Sequence, residues 1–313
     1  MTKVKSYLSL IKFSHTIFAM PFALIGFFLG LVSFGFFKSW YGQADYEWFG
    51  SDVSYFNSYP HPIKAVIIRF LFVVLCMVFA RSAAMSFNRY LDRRFDALNP
   101  RTAIREIPKG IITPKNALIF TVVNCLLFIV TTFFINRICF YLSPVALAVI
   151  LGYSYTKRFT PLCHLVLGLG LSLAPIGAYL AVTGHFNLLP ILFSFAVLFW
   201  VSGFDIIYAL QDVDFDQSQQ LYSIPTWLGK ENALRVSEFL HLLSATAVVA
   251  AGVIGEFGFV YWIGVLVFGG CLIYQHSIVK PNDLRRVNIA FMTANGIASV
   301  VFAIFVITDL FIH

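Results

Sequence analysis

Residues 159–204 contain no Asp, Glu, Lys or Arg. A water-soluble domain cannot hide so long an uncharged stretch, whereas a bilayer takes it as two helices, each crossing needing about 20 apolar residues. Gly184-His185-Phe186-Asn187 divides the stretch near its middle. Further apolar runs cover residues 13–37, 63–90, 115–137, 137–157, 238–256, 257–279 and 287–308. With the divided stretch they make nine candidate spans. Charged residues are only 12% of the chain and hydrophobic residues 59%, against about 25% charge in an ordinary soluble domain. The expected fold is all-α: a polytopic bundle forming one integral membrane domain over residues 1–313.

The net charge of +7 follows topology and does not point to nucleic acid. With Lys3, Lys5 and Lys12 in the cytoplasm, every loop after an even-numbered span faces the same side. Those loops hold Arg93, Arg94, Arg101, Arg105, Lys109, Lys115, Lys157, Arg158, Lys230, Lys280, Arg285 and Arg286. The opposite side keeps little beyond Lys38, Lys64 and Arg137, which is the positive-inside pattern. The expectation is a protein of the bacterial inner membrane, N-terminus in the cytoplasm, with the lipid bilayer as its first partner. The outside loop 38–62, rich in Trp, Tyr and Phe, is either a structured cap or an aromatic belt at the interface, the belt being the favoured reading. The five cysteines lie apart inside apolar runs with no C-x-x-C pair, which argues against a disulfide framework or a zinc site.

Two acidic motifs carry the chemistry. The second span ends in Asn88-Arg-Tyr-Leu-Asp92-Arg-Arg-Phe-Asp96. A four-residue step turns a helix by about 400°, so Asn88, Asp92 and Asp96 stack on one face. Two carboxylates and an amide oxygen suit Mg²⁺ better than Zn²⁺. The sixth span ends in Asp205-Ile-Ile-Tyr208-Ala-Leu-Gln-Asp212-Val-Asp214-Phe-Asp216. On a continuous helix, Asp205, Tyr208, Asp212 and Asp216 stay within about 60° of one face. Asp205 lies deepest, and an ionisable group at such depth is a functional candidate by default.

Both motifs end even-numbered spans and so face one compartment. Two facing acidic patches repel unless cations lie between them, and a diphosphate bridged by Mg²⁺ meets that need, because Mg²⁺ binds through few carboxylates plus substrate phosphates. A leaving diphosphate also needs basic neutralisation. The candidate substrate-binding residues are Lys157, Tyr155, Arg101 and Arg105. His15, His164, His241 and His276 show no ligand spacing and read as packed or interfacial.

The stretches 88–110, 153–158 and 205–229 resemble the UbiA superfamily of intramembrane aromatic prenyltransferases, most of all its 4-hydroxybenzoate polyprenyltransferase branch, and the likeness covers nearly the whole chain. It implies a nine-helix bundle with a cytoplasmic cap and a tunnel open sideways to lipid. It implies Mg²⁺ held by Asn88, Asp92, Asp96, Asp212 and Asp216, a diphosphate contact at Lys157, and Asp205 and Tyr208 near the reacting carbons. The substrates it implies are a polyprenyl diphosphate and an aromatic acid of the 4-hydroxybenzoate kind, in quinone biosynthesis. One departure stands at residues 11–15, Ile-Lys-Phe-Ser-His, where that branch usually carries Arg and an Asp-Lys-Pro run. Similar sequences include enzymes proposed to prenylate a naphthoate acceptor in an alternative menaquinone route. Lys12 and Arg81 are candidates for the acceptor's carboxylate partner.

Two rival classes use similar residues. A transporter places ionisable groups near the midplane on broken helices, whereas both motifs here end spans at one face. The continuous aspartate motif of CDP-alcohol phosphotransferases is absent from the sequence.

Overall fold

The computed structural model describes residues 3–11, 18–33 and 62–313. Lys12, His15, both ends of the first expected span and almost all of the aromatic loop 38–62 lie outside the described residues. The described chain folds into helices α1 (Lys3–Leu10), α2 (Met20–Ser33), α3 (Pro62–Leu91), α4 (Arg93–Leu98), α5 (Pro114–Ile135), α6 (Arg137–Thr156) and α7 (Cys163–Thr183). There follow α8 (Leu188–Ala209), a 3-10 turn (Leu210–Asp212), α9 (Val213–Ser218), α10 (Ile224–Ile254), α11 (Phe259–Ile278), a π-helical segment (Ile289–Ala294) and α12 (Asn295–Ile312). Eight helices among the described residues are long and apolar enough to cross a membrane, and α2 adds a shorter apolar helix of 14 residues.

Local chemistry sets the helix ends. Thr113 caps α5 by accepting from Asn116 N at 3.2 Å, with Pro114 in the first turn. Asn136 caps α6, and its amide also donates to Leu180 O at 2.8 Å. The expected break is where α7 and α8 meet: Gly184 closes α7 in the left-handed region (φ 72°), and Asn187 caps α8. α11 starts at a glycine with no side chain to cap it. Asp309, from α12, supplies the missing acceptor, taking the N–H groups of Gly258 at 2.7 Å and Tyr261 at 3.0 Å. This buried carboxylate thus serves a helix N-terminus, where negative charge is favoured.

α10 differs from its expected extent, starting at Ile224 and not at residue 238. Its first turns carry Lys230, Glu231 and Arg235, the last two paired at 2.8 Å on an exposed surface, so hydropathy hides them. The chain bends there at Gly229 (φ 77°, ψ 166°), a conformation open to glycine.

α8 is the central helix. Trp200 is fully buried among Phe22, Phe204 and Phe268. Its indole donates to Asn295 Oδ1 at 2.9 Å, and the Asn295 amide reaches the carbonyls of Ala290 and Phe291 in the π-helical segment. Against α10, three residues one helical face apart bond to α8 carbonyls. Ser237 donates to Gly203 O at 2.7 Å, Ser244 donates to Ala196 O at 2.8 Å, and His241 Nε2 lies 3.3 Å from Trp200 O. A Cβ on Gly203 would stand 2.3 Å from the His241 ring, so the two helices approach this closely only because residue 203 has no side chain. His241 is not merely packed: its Nδ1 sits 2.8 Å from His276 Nε2.

Candidate active site

The first acidic motif straddles the junction of α3 and α4. Asp92 leaves the helical region (φ −86°, ψ 5°), yet the i to i−4 backbone bonds continue from Asp92 N to Asn88 O (2.9 Å) and from Asp96 N to Asp92 O (2.8 Å). The three side chains remain stacked through the bend, and Asn88 Nδ2 donates to Asp92 Oδ2 at 3.1 Å. Burial pushes the Asp92 carboxyl above its ordinary pKa, with the Arg158 guanidinium pulling the other way. Asp96 is buried and bound to Arg105 at 2.5 Å.

The second motif does not lie on one continuous helix. α8 stops at Ala209, the 3-10 turn carries Asp212, and Asp216 belongs to α9. A 3-10 turn advances about 120° per residue, not 100°, so the equal-face spacing expected of a single helix is altered. The residues nevertheless border the same space. Asn88, Asp92, Asp96, Asp205, Tyr208, Asp212 and Asp216 line one cavity of about 300 Å³, together with Arg101, Arg105 and Lys157. Tyr155 does not. It is exposed, beside Phe87 and Arg158, while Tyr153 lines the cavity in its place. Two residues apart on a helix means about 200° of rotation, so the two tyrosines point to opposite faces.

Four of the motif carboxylates each face a cation. Asp92 meets Arg158 at 2.8 Å, Asp96 meets Arg105 at 2.5 Å, Asp212 meets Arg101 at 2.5 Å and Asp216 meets Lys157 at 2.8 Å. The pairs tie the two motifs together. Lys157 and Arg158, adjacent just past α6, reach opposite ways, one to the second motif and one to the first. Arg101 crosses from the loop after the first motif, contacting Asp212 through two nitrogens and donating to Tyr208 Oη at 2.8 Å. Burial by itself would lower the Lys157 ammonium, but the Asp216 carboxylate outweighs it and holds the group above its ordinary value.

Two partnerships were not expected from the sequence: Arg158 pairs with Asp92, and His164, at the start of α7, lies with Nδ1 2.7 Å from Asp205 Oδ2. Neither contact has a local signature, since the partners are 66 and 41 residues away.

The donor set suits a divalent cation shared with a ligand. Among the described residues, no three His, Cys, Asp or Glu side chains form a ready metal cluster. However, the buried oxygens Asp96 Oδ2 and Asp216 Oδ2 have no hydrogen-bond partner. They are hard acceptors of the kind Mg²⁺ takes one or two at a time, filling its remaining positions with phosphate and water.

A second cavity, of about 390 Å³, is lined almost wholly by apolar side chains of α3, α5, α6 and α7. It adjoins the first at Arg81, Met85, Tyr153, Leu167 and Leu171, which border both.

Residues 53–297 match the model of the UbiA prenyltransferase family. The chain belongs to this family. It is 31% identical to a 4-hydroxybenzoate octaprenyltransferase of Tolumonas auensis, over 71% of this chain and 78% of that one. A namesake from Aliivibrio salmonicida is 30% identical, over 73% and 80%. A solved UbiA homologue from Aeropyrum pernix K1 superposes with a TM-score of 0.72 at 25% identity, covering 95% of this chain and 97% of that one. The fold is shared as well by a UbiA homologue from Archaeoglobus fulgidus bound to DMAPP and Mg²⁺, with a TM-score of 0.69 at 18% identity over 98% and 100% of the chains. The protein is therefore an integral membrane prenyltransferase with the UbiA fold, and the paired acidic motifs of this UbiA member face one cavity.

Proposed function

We propose that this protein transfers a polyprenyl group from polyprenyl diphosphate to an aromatic acid of the 4-hydroxybenzoate kind, with Mg²⁺, in quinone biosynthesis at the cytoplasmic face of a bacterial inner membrane. The observation that carries this reading is the junction of the two cavities. A charged chamber of about 300 Å³ adjoins an apolar one of about 390 Å³, matching a ligand with a diphosphate head and a hydrocarbon tail. The names of the relatives support the acceptor class.

Asn88, Asp92, Asp96, Asp212 and Asp216 are the residues that hold Mg²⁺ in this reading. The metal supplies charge neutralisation of the departing diphosphate. Lys157, Arg101 and Arg105 contribute charge-assisted hydrogen bonds to the same oxygens, and these strengthen as charge develops there. Tyr208, packed on Phe291 with ring centroids 4.3 Å apart, presents an aromatic surface beside the allylic carbon. Arg81, whose buried Nε has no hydrogen-bond partner, borders both cavities and takes the acceptor's carboxylate.

The test crosses hydroxybenzoates and hydroxynaphthoates with prenyl diphosphates of several lengths, in detergent, with Mg²⁺ or EDTA, read by mass spectrometry. The expected result is a C-prenylated hydroxybenzoate formed only with the metal. Product from naphthoates alone would move the acceptor to the menaquinone route. Uptake of an ion or solute without prenyl transfer would return the protein to the transporter class.

A further inference from the structure

Asp205 and His164 form the one close carboxylate–imidazole contact in the cavity, and the reading above gives His164 no task. The contact is built from both sides. His164 is 3% exposed, and Nδ1 stands 2.7 Å from Asp205 Oδ2. Ser202, three residues before Asp205, donates to the His164 carbonyl at 3.1 Å, locking the start of α7 to the end of α8. His164 Nε2 is buried with no hydrogen-bond partner. The imidazole's carboxylate contact, through Nδ1, is with Asp205, and its other side-chain neighbour is the thiol of Cys163. Among the described residues Asp205 Oδ1 has no hydrogen-bond partner, and the side chain is about a quarter exposed. One oxygen is held and the other is presented.

The transfer chemistry has a step that needs such an oxygen. The bond from the allylic carbon to the diphosphate oxygen breaks, and its electron pair leaves with the diphosphate. A ring carbon ortho to the acceptor's hydroxyl supplies the pair for the new carbon–carbon bond. That carbon still carries its hydrogen, and aromaticity returns only when the proton leaves and the C–H pair passes back into the ring. The other carboxylates that line the cavity, Asp92, Asp96, Asp212 and Asp216, are each paired with Arg or Lys. Asp205 alone is paired with an imidazole and holds an oxygen toward the cavity.

We infer that His164 is a positioning residue that holds Asp205 Oδ2 so that Oδ1 removes the ring proton after the new carbon–carbon bond has formed. Nδ1–H donates to Oδ2 and fixes the carboxylate plane. The proton taken by Oδ1 then passes to water, so each turnover releases product, diphosphate and one proton.

The inference rests on the prenyl-transfer reading, and its test separates the two. Purified wild-type, His164→Ala and His164→Gln proteins are assayed with a hydroxybenzoate carrying either hydrogen or deuterium ortho to the hydroxyl. The wild type is expected to show no isotope effect on kcat, because proton loss follows a slower ionisation. His164→Ala is expected to lose about a hundredfold in kcat, the lower end for general base catalysis, with the KM for prenyl diphosphate within about twofold, since ground-state binding is untouched. Proton loss then limits the rate, and a ring-deuterium isotope effect appears. His164→Gln keeps a donor toward Asp205, and is expected to recover to within about tenfold of wild type; it also serves if the alanine variant does not fold. Wild-type kcat in folded His164→Ala, or a lost kcat with no isotope effect in either variant, overturns the inference while prenyl transfer stands. A wild-type protein that prenylates no aromatic acid overturns both.

Discussion

Lys157→Met is the perturbation whose size the structure sets most directly. The substitution keeps the aliphatic stem and removes the ammonium 2.8 Å from Asp216 Oδ1. Asp216 is 1% exposed and its other oxygen already lacks a hydrogen-bond partner, so the variant leaves a buried carboxylate with nothing opposite either oxygen. Breaking a buried ion pair from one side costs about 3–5 kcal/mol. The Lys157 side chain is 37% exposed, so water screens part of the loss and the lower end, about 3 kcal/mol, is expected. Adding Asp216→Asn removes the stranded charge, and the double variant is expected to melt in detergent well above Lys157→Met. Function behaves differently. A hydrogen bond to a charged group contributes about 1.5–3 kcal/mol, so the KM for prenyl diphosphate is expected to rise about ten- to hundredfold at saturating acceptor. The double variant does not regain it. A normal donor KM with a raised acceptor KM would refute the placement of Lys157 at the diphosphate, and a double variant no more stable than the single would refute the burial argument.

Asp92→Ala and Asp212→Ala should each reduce transfer to background while the protein keeps its wild-type elution and melting behaviour; full activity in either folded variant contradicts a shared metal–diphosphate site. Because burial holds the Asp92 carboxyl above its ordinary pKa, it protonates at a higher pH than a free carboxylate and loses cation affinity there. The acid limb of kcat/KM for the donor, which reports the free enzyme, is expected above the ordinary carboxylate range. Arg158→Met removes the opposing guanidinium, so initial rates across pH should place the limb higher still. Gly203→Ala puts a methyl 2.3 Å from the His241 ring and should destabilise by about 1–3 kcal/mol, as overpacking does, seen as a lower melting temperature in detergent.

Much of this architecture is legible because a membrane simplifies the reading. Length and apolarity locate the helices, and Gly184 and Asn187 mark the turn between α7 and α8 by their own backbone and capping chemistry. The stacking of Asn88, Asp92 and Asp96 follows from helical geometry and survives the bend at Asp92, because the backbone ladder runs through it. Legibility fails where contacts are long-range or where the helix changes type. The 3-10 turn at residues 210–212 has no Pro or Gly to announce it. Tyr155 and Tyr153 look interchangeable in YSYTKR, and only the rotation of α6 separates them. His164 and Asp205, or Arg158 and Asp92, become partners only once α6, α7 and α8 have packed against α3. The start of α10 is hidden because Lys230, Glu231 and Arg235 give it the hydropathy of a loop.

The hydrogen bonds from Ser237, His241 and Ser244 to the carbonyls of α8 also bear on how the chain is built into a bilayer. Alone in hydrocarbon, α10 would carry two hydroxyls and an imidazole at considerable cost, and α8 would lack its close neighbour at Gly203. Emerging later from the ribosome, α10 has a reason to stay near the insertion machinery until α8 is beside it. That contact satisfies both hydroxyls and one imidazole nitrogen, the other meeting His276 of α11. In force-unfolding from the C-terminus, α11 and α12 should therefore leave separately, whereas α10 and the motif-bearing end of α8 should give way in a single step.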